Sequence, residues 1–252
     1  ASWHVFFADE RCVPLDHSDS NYHACKHFLV HVPPAQVHPL PIAAATNFDP
    51  EVADAAAAAA PALAEAYEQE LRSACPSNAT SSMPVLDLVL LGMGPDGHTA
   101  SLFPGHQLVT GRGGGDSATK AVTFLTDSPK SPPTRITLTL PVLNSARAVA
   151  FIAAGGSKAP VLAKCFRIED GILLPDPTSG FPCAMVKASP PASIAASAAS
   201  PREGLTWFVD ASAAGDLPAT NAKNVGTPRR STVGLIGAMP PEIAKLKAHV
   251  IQ

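Results

Sequence analysis

Charge is scarce in this chain. Lys, Arg, Asp and Glu make up 15% of its 252 residues and balance to a net charge of −3. That balance removes any bulk electrostatic reason to expect binding to nucleic acid or to an anionic membrane, so a hold on an anion must come from locally placed Lys or Arg. Long apolar runs are missing too, and nothing approaches the ~20 consecutive apolar residues of a membrane-spanning helix. The cysteines (Cys12, Cys25, Cys75, Cys165 and Cys183) are odd in number and irregularly spaced. They form no Cys-x-x-Cys pair and no Cys/His set at zinc spacing. The sequence therefore predicts free thiols in a reducing compartment, with no metal and no cofactor that a ligand cluster would imply.

What the chain has instead is alanine, proline and short apolar stretches. An apolar content of 46% fills a core at this length, as one large domain or two small ones. Trp3 to Ala8 reads as a strand ending at Asp9-Glu10-Arg11, and Ser20 to His31 as a helix capped by Ser18 or Ser20. Val37 to Ile42 is a short extended piece. The Ala-rich segment from Pro50 to Cys75 has helical spacing of its charges. Strands are predicted over Val85–Leu91, Ala121–Thr126, Arg135–Leu140, Ala148–Ala153 and Leu205–Asp210. Helices are predicted from Thr99, after Pro141, and over Ala159–Phe166. Gln107–Ser117 and Ser189–Ser200 read as loops. The alternation argues for an α/β fold, an open, mostly parallel, Rossmann-like sheet with helices on both faces. The expected division is an α/β domain over 1–214 and a linker-like tail over 215–252, with Pro240–Val250 able to form a short helix.

Val85–His106 (VLDLVLLGMGPDGHTASLFPGH) concentrates the chemistry. A buried strand breaks at Gly92-Met93-Gly94-Pro95 and delivers Asp96, Gly97 and His98 together. Strand ends of this kind are where open α/β sheets place ligands and catalytic groups. Histidine is the side chain best suited to moving protons near neutral pH. Two other strand ends carry polar clusters, Asp9-Glu10-Arg11 and Gly155-Gly156-Ser157-Lys158. In a parallel sheet these ends share one edge, so the clusters could converge into an acid, a base and two cations. That set suits a small anionic substrate undergoing hydrolysis or proton transfer.

Five stretches together resemble the 6-phosphogluconolactonase family, with wording closest to plant and algal forms. They are WHVFFADERCVPLDHSDSNY, LDLVLLGMGPDGHTASLFPGH, TDSPKSPPTRITLTLPVLNSA, AAGGSKAPVL and LTWFVDASAA, in family order from Trp3 to about Ala214. The wider superfamily holds glucosamine-6-phosphate deaminases, whose histidine is followed by an Ile-Ala-Phe-Asn-Glu-Pro type run. Here Thr99-Ala100-Ser101-Leu102-Phe103-Pro104 follows, the lactonase form.

The resemblance implies hydrolysis of a phosphorylated sugar lactone, without metal or cofactor, by a monomer in the cytoplasm or the plastid stroma. It makes His98 the general base, with Asp96 orienting or stabilising its imidazole. Gly94 and Gly97 would let backbone N–H groups reach a developing oxyanion. Arg11, Lys158 and Arg135 would hold phosphate or sugar hydroxyls, although Arg135 could simply begin its strand and Arg11 could serve a structural ion pair. Relatives carry a further strand and helix ahead of WHVFF, with a Ser-Gly-Gly-Ser type loop that helps hold the phosphate. That segment is expected to be lacking here, and the tail after Thr227 has no family counterpart. Two other readings stay open: a non-catalytic sugar-phosphate-binding homologue, and a deaminase-type enzyme of the same superfamily.

Overall fold

The computed structural model describes residues 3–44, 53–77, 82–111, 119–189, 204–218 and 233–235. The chain divides into two compact units. Unit 1 comprises Ala1–Val85 and Gly111–Val142, and unit 2 comprises Leu86–Thr110 and Leu143–Gln252.

Unit 1 opens with β1 (Val5–Phe6) and β2 (Asp9–Arg11). The predicted WHVFFA strand is thus shortened to Val5–Phe6, and Asp9-Glu10-Arg11 is itself a strand rather than a turn after one. The helix α1 (Asn21–Cys25) is shorter than expected, because the chain tightens into a 3₁₀ turn at Leu29–His31. β3 (Val37–His38) pairs with β1 in parallel. The long helix α2 (Ala53–Ala74) continues through the exposed Pro61. One face of α2, carrying Leu63, Tyr67 and Leu71, is fully buried at i, i+4, i+8 spacing. It packs on two further strands, the later β5 (Val122–Leu125) and β6 (Arg135–Leu138). The Glu68 carboxylate of α2 accepts the Ala121 and Val122 N–H groups, both at 3.1 Å, and so fixes the start of β5. The order β2-β6-β5 is antiparallel throughout. The expectation that Asp9-Glu10-Arg11 ends a strand of the parallel sheet is therefore corrected.

Unit 2 holds the parallel sheet. Its strands are β4 (Leu88–Gly92), β7 (Ala148–Ala153), β10 (Leu205–Val209) and β11 (Val233–Leu235), in the order β11-β10-β7-β4. All three pairings are parallel. β11 was not expected, since its residues fall in what reads as a linker-like tail. Residues 219–232 and 236–252, including the expected helix at 240–250, lie outside the described residues, as does most of the Ser189–Ser200 loop. The predicted helix from Thr99 does not form. Thr99 and Leu102 exchange backbone hydrogen bonds around Ala100, whose φ is 49°, and the helix α3 comes later, at Gln107–Thr110. The helix α4 (Leu140–Ser145), in which the chain passes from unit 1 to unit 2 after Val142, precedes β7, and α5 (Ala159–Cys165) follows it. Next comes a hairpin of β8 (Phe166–Glu169) and β9 (Ile172–Pro175), and then α6 (Pro182–Met185). The hairpin turn is Asp170-Gly171, both with positive φ, as a two-residue connection requires.

The core of unit 2 is organised by Trp207. Its ring stacks on Phe151 at 4.0 Å and meets Phe166 edge-on at 5.1 Å. All five cysteines are free thiols, and burial pushes that of Cys12 up to about 12.

Candidate active site

β4 ends at Gly92, and the loop that follows is closed by its own hydrogen bonds. The Gly94 N–H donates to the His98 carbonyl at 2.8 Å, and the Gly97 N–H to the Gly94 carbonyl at 3.0 Å. The Thr99 hydroxyl returns to the Gly92 carbonyl at 2.9 Å. A side chain at Gly94 would collide with the His98 ring and the Asp96 carboxylate. Gly97 has φ +83° and lies against the Phe181 ring, so it needs both glycine's conformational freedom and its lack of a side chain. The two glycines therefore shape the loop. Their own N–H groups are used inside it.

The loop brings Asp96 and His98 together. Asp96 Oδ1 lies 2.5 Å from His98 Nδ1. Asp96 is 39% exposed and His98 18%. A carboxylate accepting from Nδ1–H fixes the neutral tautomer with its lone pair on Nε2. The ring of Phe103, itself buried, lies 4.7 Å from that of His98 at 31° and limits its rotation. Neither Phe103 nor Phe181 carries a sequence signal that singles it out for this site.

β7 runs beside β4, with Gly92 in register with Ile152. Beyond β7 the chain turns at Gly155 and passes through a 3₁₀ turn, Gly156–Lys158, into α5. Lys158 is only 6% exposed. The Asp96–His98 pair and Lys158 thus follow the carboxyl ends of adjacent parallel strands, as the sequence led one to expect.

Arg11 and Arg135 belong to unit 1. Arg11 donates through Nη1 to the Asp19 carbonyl at 2.6 Å. Arg135 is 3% exposed. Its Nε donates to the Pro132 carbonyl (2.9 Å), and its Nη2 to those of Lys130 (2.9 Å) and Ser131 (3.1 Å). Asp9 lies 4.0 Å from Nη1. These contacts pin the Ser-Pro-Lys-Ser-Pro-Pro loop to β6, which Arg135 begins, in keeping with the alternative reading of this residue as the start of its strand. Burial lowers its pKa and Asp9 offsets part of that. Glu10 is likewise internal. Its carboxylate accepts from the N–H groups of Arg11 (2.8 Å), Asn21 (2.7 Å) and Tyr22 (2.8 Å) and from the Ser20 hydroxyl (3.1 Å). It therefore satisfies the N-terminus of α1 together with the expected local cap, the Ser20 hydroxyl, which accepts the His23 N–H at 3.2 Å. Among the described residues, no group of three or more His, Cys, Asp or Glu could hold a metal ion, and no helix is long and apolar enough to cross a membrane.

Comparison with known proteins identifies the relatives of this chain. Residues 1–193 match the family described as glucosamine-6-phosphate isomerases/6-phosphogluconolactonase. The 6-phosphogluconolactonase of Rattus norvegicus is 41% identical over 217 residues, which cover 85% of this chain and 68% of the rat protein. That of Homo sapiens is 39% identical over 216 residues, covering 85% and 68%. The crystal structure of 6-phosphogluconolactonase from Leishmania guyanensis superposes with a TM-score of 0.60 at 27% identity, covering 84% of this chain and 74% of that one.

Proposed function

The chain belongs to the glucosamine-6-phosphate isomerase/6-phosphogluconolactonase family, and we propose that within it this protein hydrolyses 6-phospho-D-glucono-1,5-lactone to 6-phospho-D-gluconate, the second step of the oxidative pentose phosphate pathway. The observation that carries the reading is the Asp96–His98 pair at the end of β4, with Nδ1 held at 2.5 Å. Asp96 takes the Nδ1–H and leaves Nε2 as the base. Nε2 accepts a proton from water as its oxygen attacks C1. The bond from C1 to the ring oxygen then breaks, and the same proton goes to that oxygen. The imidazolium formed between the two steps is stabilised by Asp96. The lactone carbonyl is already electrophilic, so the reaction asks the protein for a placed water and a proton carrier. Lys158 binds the phosphate as a point charge. Arg11 is the further cation that the resemblance implies. The protein works as a monomer, in the cytoplasm or the plastid stroma.

The deaminase reading is disfavoured by the run Thr99–Pro104 after His98. Two assays separate the readings. Proton release from freshly made phosphorylated lactone should exceed the spontaneous rate in proportion to protein, and glucosamine 6-phosphate should yield no ammonia. Spontaneous-rate hydrolysis would leave the non-catalytic sugar-phosphate-binding reading standing.

A further inference from the structure

Asp210 follows β10, next to β7 in the sheet, with Val209 in register with Ala153. Both its carboxylate oxygens accept the Gly155 N–H, at 3.0 and 3.1 Å. Oδ1 also accepts the Ala213 N–H at 2.8 Å, which fixes the carboxylate's own orientation. Gly155 has φ +93°, and its carbonyl accepts the Lys158 N–H at 3.1 Å. A short chain of hydrogen bonds thus runs from Asp210 through Gly155 to Lys158. The reaction described above makes no use of Asp210. A negative charge beside a loop meant for a phosphate opposes binding by repulsion. Its place there is explained if it sets the loop's shape.

We propose that Asp210 is a positioning residue for the substrate phosphate, acting through the Gly155 N–H on the Gly155–Lys158 turn. This rests on the lactonase reading and adds to it a residue outside the groups that touch substrate. Geometry of this kind matters because a displacement of about 1 Å in a binding group can cost up to ~10²-fold.

The test compares Asp210→Ala with Asp210→Asn, which keeps an acceptor oxygen without the charge. Wild-type turnover of the phosphorylated lactone checks the lactonase reading itself. Affinity for 6-phosphogluconate, measured by calorimetry, reports on the phosphate site without turnover. Asp210→Ala should weaken 6-phosphogluconate binding and raise KM about tenfold, with kcat within about twofold. Its kcat/KM on unphosphorylated gluconolactone should be unchanged, and Asp210→Asn should recover most of the loss. Should Asp210→Ala fail to fold, Asp210→Ser carries the same test, since its hydroxyl, one bond closer to the backbone than the carboxylate oxygens, keeps the local cap on Ala213 but falls short of the Gly155 N–H on the neighbouring strand end. Unchanged 6-phosphogluconate affinity in the Ala or Ser variant overturns the proposal. So do equal losses on both lactones, or an Asn variant no better than the Ala one.

Discussion

Unit 1 and unit 2 place their ionisable side chains differently. In unit 1, Arg135 points three of its donor contacts at the carbonyls of one loop, and Glu10 gathers four donors around the start of α1. Both are buried, and both do for irregular backbone what a sheet or helix does for regular backbone. In unit 2, Asp96 and His98 are each partly exposed and joined through one ring nitrogen. The lesson is that a charged residue in a family-like motif is not by that fact a ligand. The number of backbone groups it serves separates scaffold from chemistry.

His98→Ala is the largest test of that separation. With the base gone, kcat should fall by about 10²–10⁴-fold, equivalent to ~3–5 kcal/mol in the barrier. The urea midpoint should stay near that of the wild type, because the loop's backbone hydrogen bonds do not pass through the ring. Turnover close to wild type, after subtraction of spontaneous hydrolysis, would remove His98 from the mechanism.

A pair of cation variants should then show opposite signatures. Arg135→Ala strips the loop carbonyls of their donors and removes the Nη1 contact with Asp9. It should cost about 2–4 kcal/mol of stability, while the KM of the folded protein stays within about twofold. Lys158→Met keeps the volume of the stem and removes the ammonium. It should raise KM for the phosphorylated lactone about tenfold, with little change in kcat, because the phosphate is bound in ground and transition states alike. Denaturation curves and initial rates on both proteins decide the matter. If the signatures are exchanged, the division between scaffold and site drawn above is wrong for these two residues.

Much of unit 2 was legible in the sequence and less of unit 1 was. Ala148–Ala153 emerges with the bounds read from its apolar run, since a central parallel strand is apolar on both faces and stands out. The Gly-Pro-Asp-Gly-His loop was legible because glycine, proline and a polar pair in sequence leave few foldings. The expected helix at Thr99 failed because the Thr99 hydroxyl is drawn back to Gly92, a competition that favours turns over helix. The strand Asp9–Arg11 was hidden because charged residues are poor strand signals, and its pairing partner lies more than 120 residues away. Asp210 could have been found. An Asp directly after a strand, with free N–H groups in the turn ahead, is a capping pattern. Glu10 could not, because the helix it caps begins eleven residues later and only the folded chain brings the two together.

Glu10 gives the smallest effect and the sharpest sign. Its surrounding donors favour the carboxylate, but burial opposes the charge more strongly, so its pKa is raised above the ordinary 4.5. A raised carboxyl binds its proton more tightly folded than unfolded. The protonated form has somewhere to place that proton, on the Ser20 hydroxyl oxygen 3.1 Å away. The stability Glu10 contributes is therefore fully present below about pH 4.5 and is lost as pH rises through the folded-state pKa. Glu10→Gln cannot ionise and must turn its NH₂ toward a donor, which costs about 1–2 kcal/mol at any pH. Urea midpoints of the two proteins, measured from pH 4 to 7, should show the wild type's advantage narrowing as pH rises. An advantage that widens instead would mean that the four donors outweigh burial and the fold prefers the ionised carboxylate. Unit 1 would then contain a stabilised charge like any exposed one, and the contrast with unit 2 would rest on Arg135 alone.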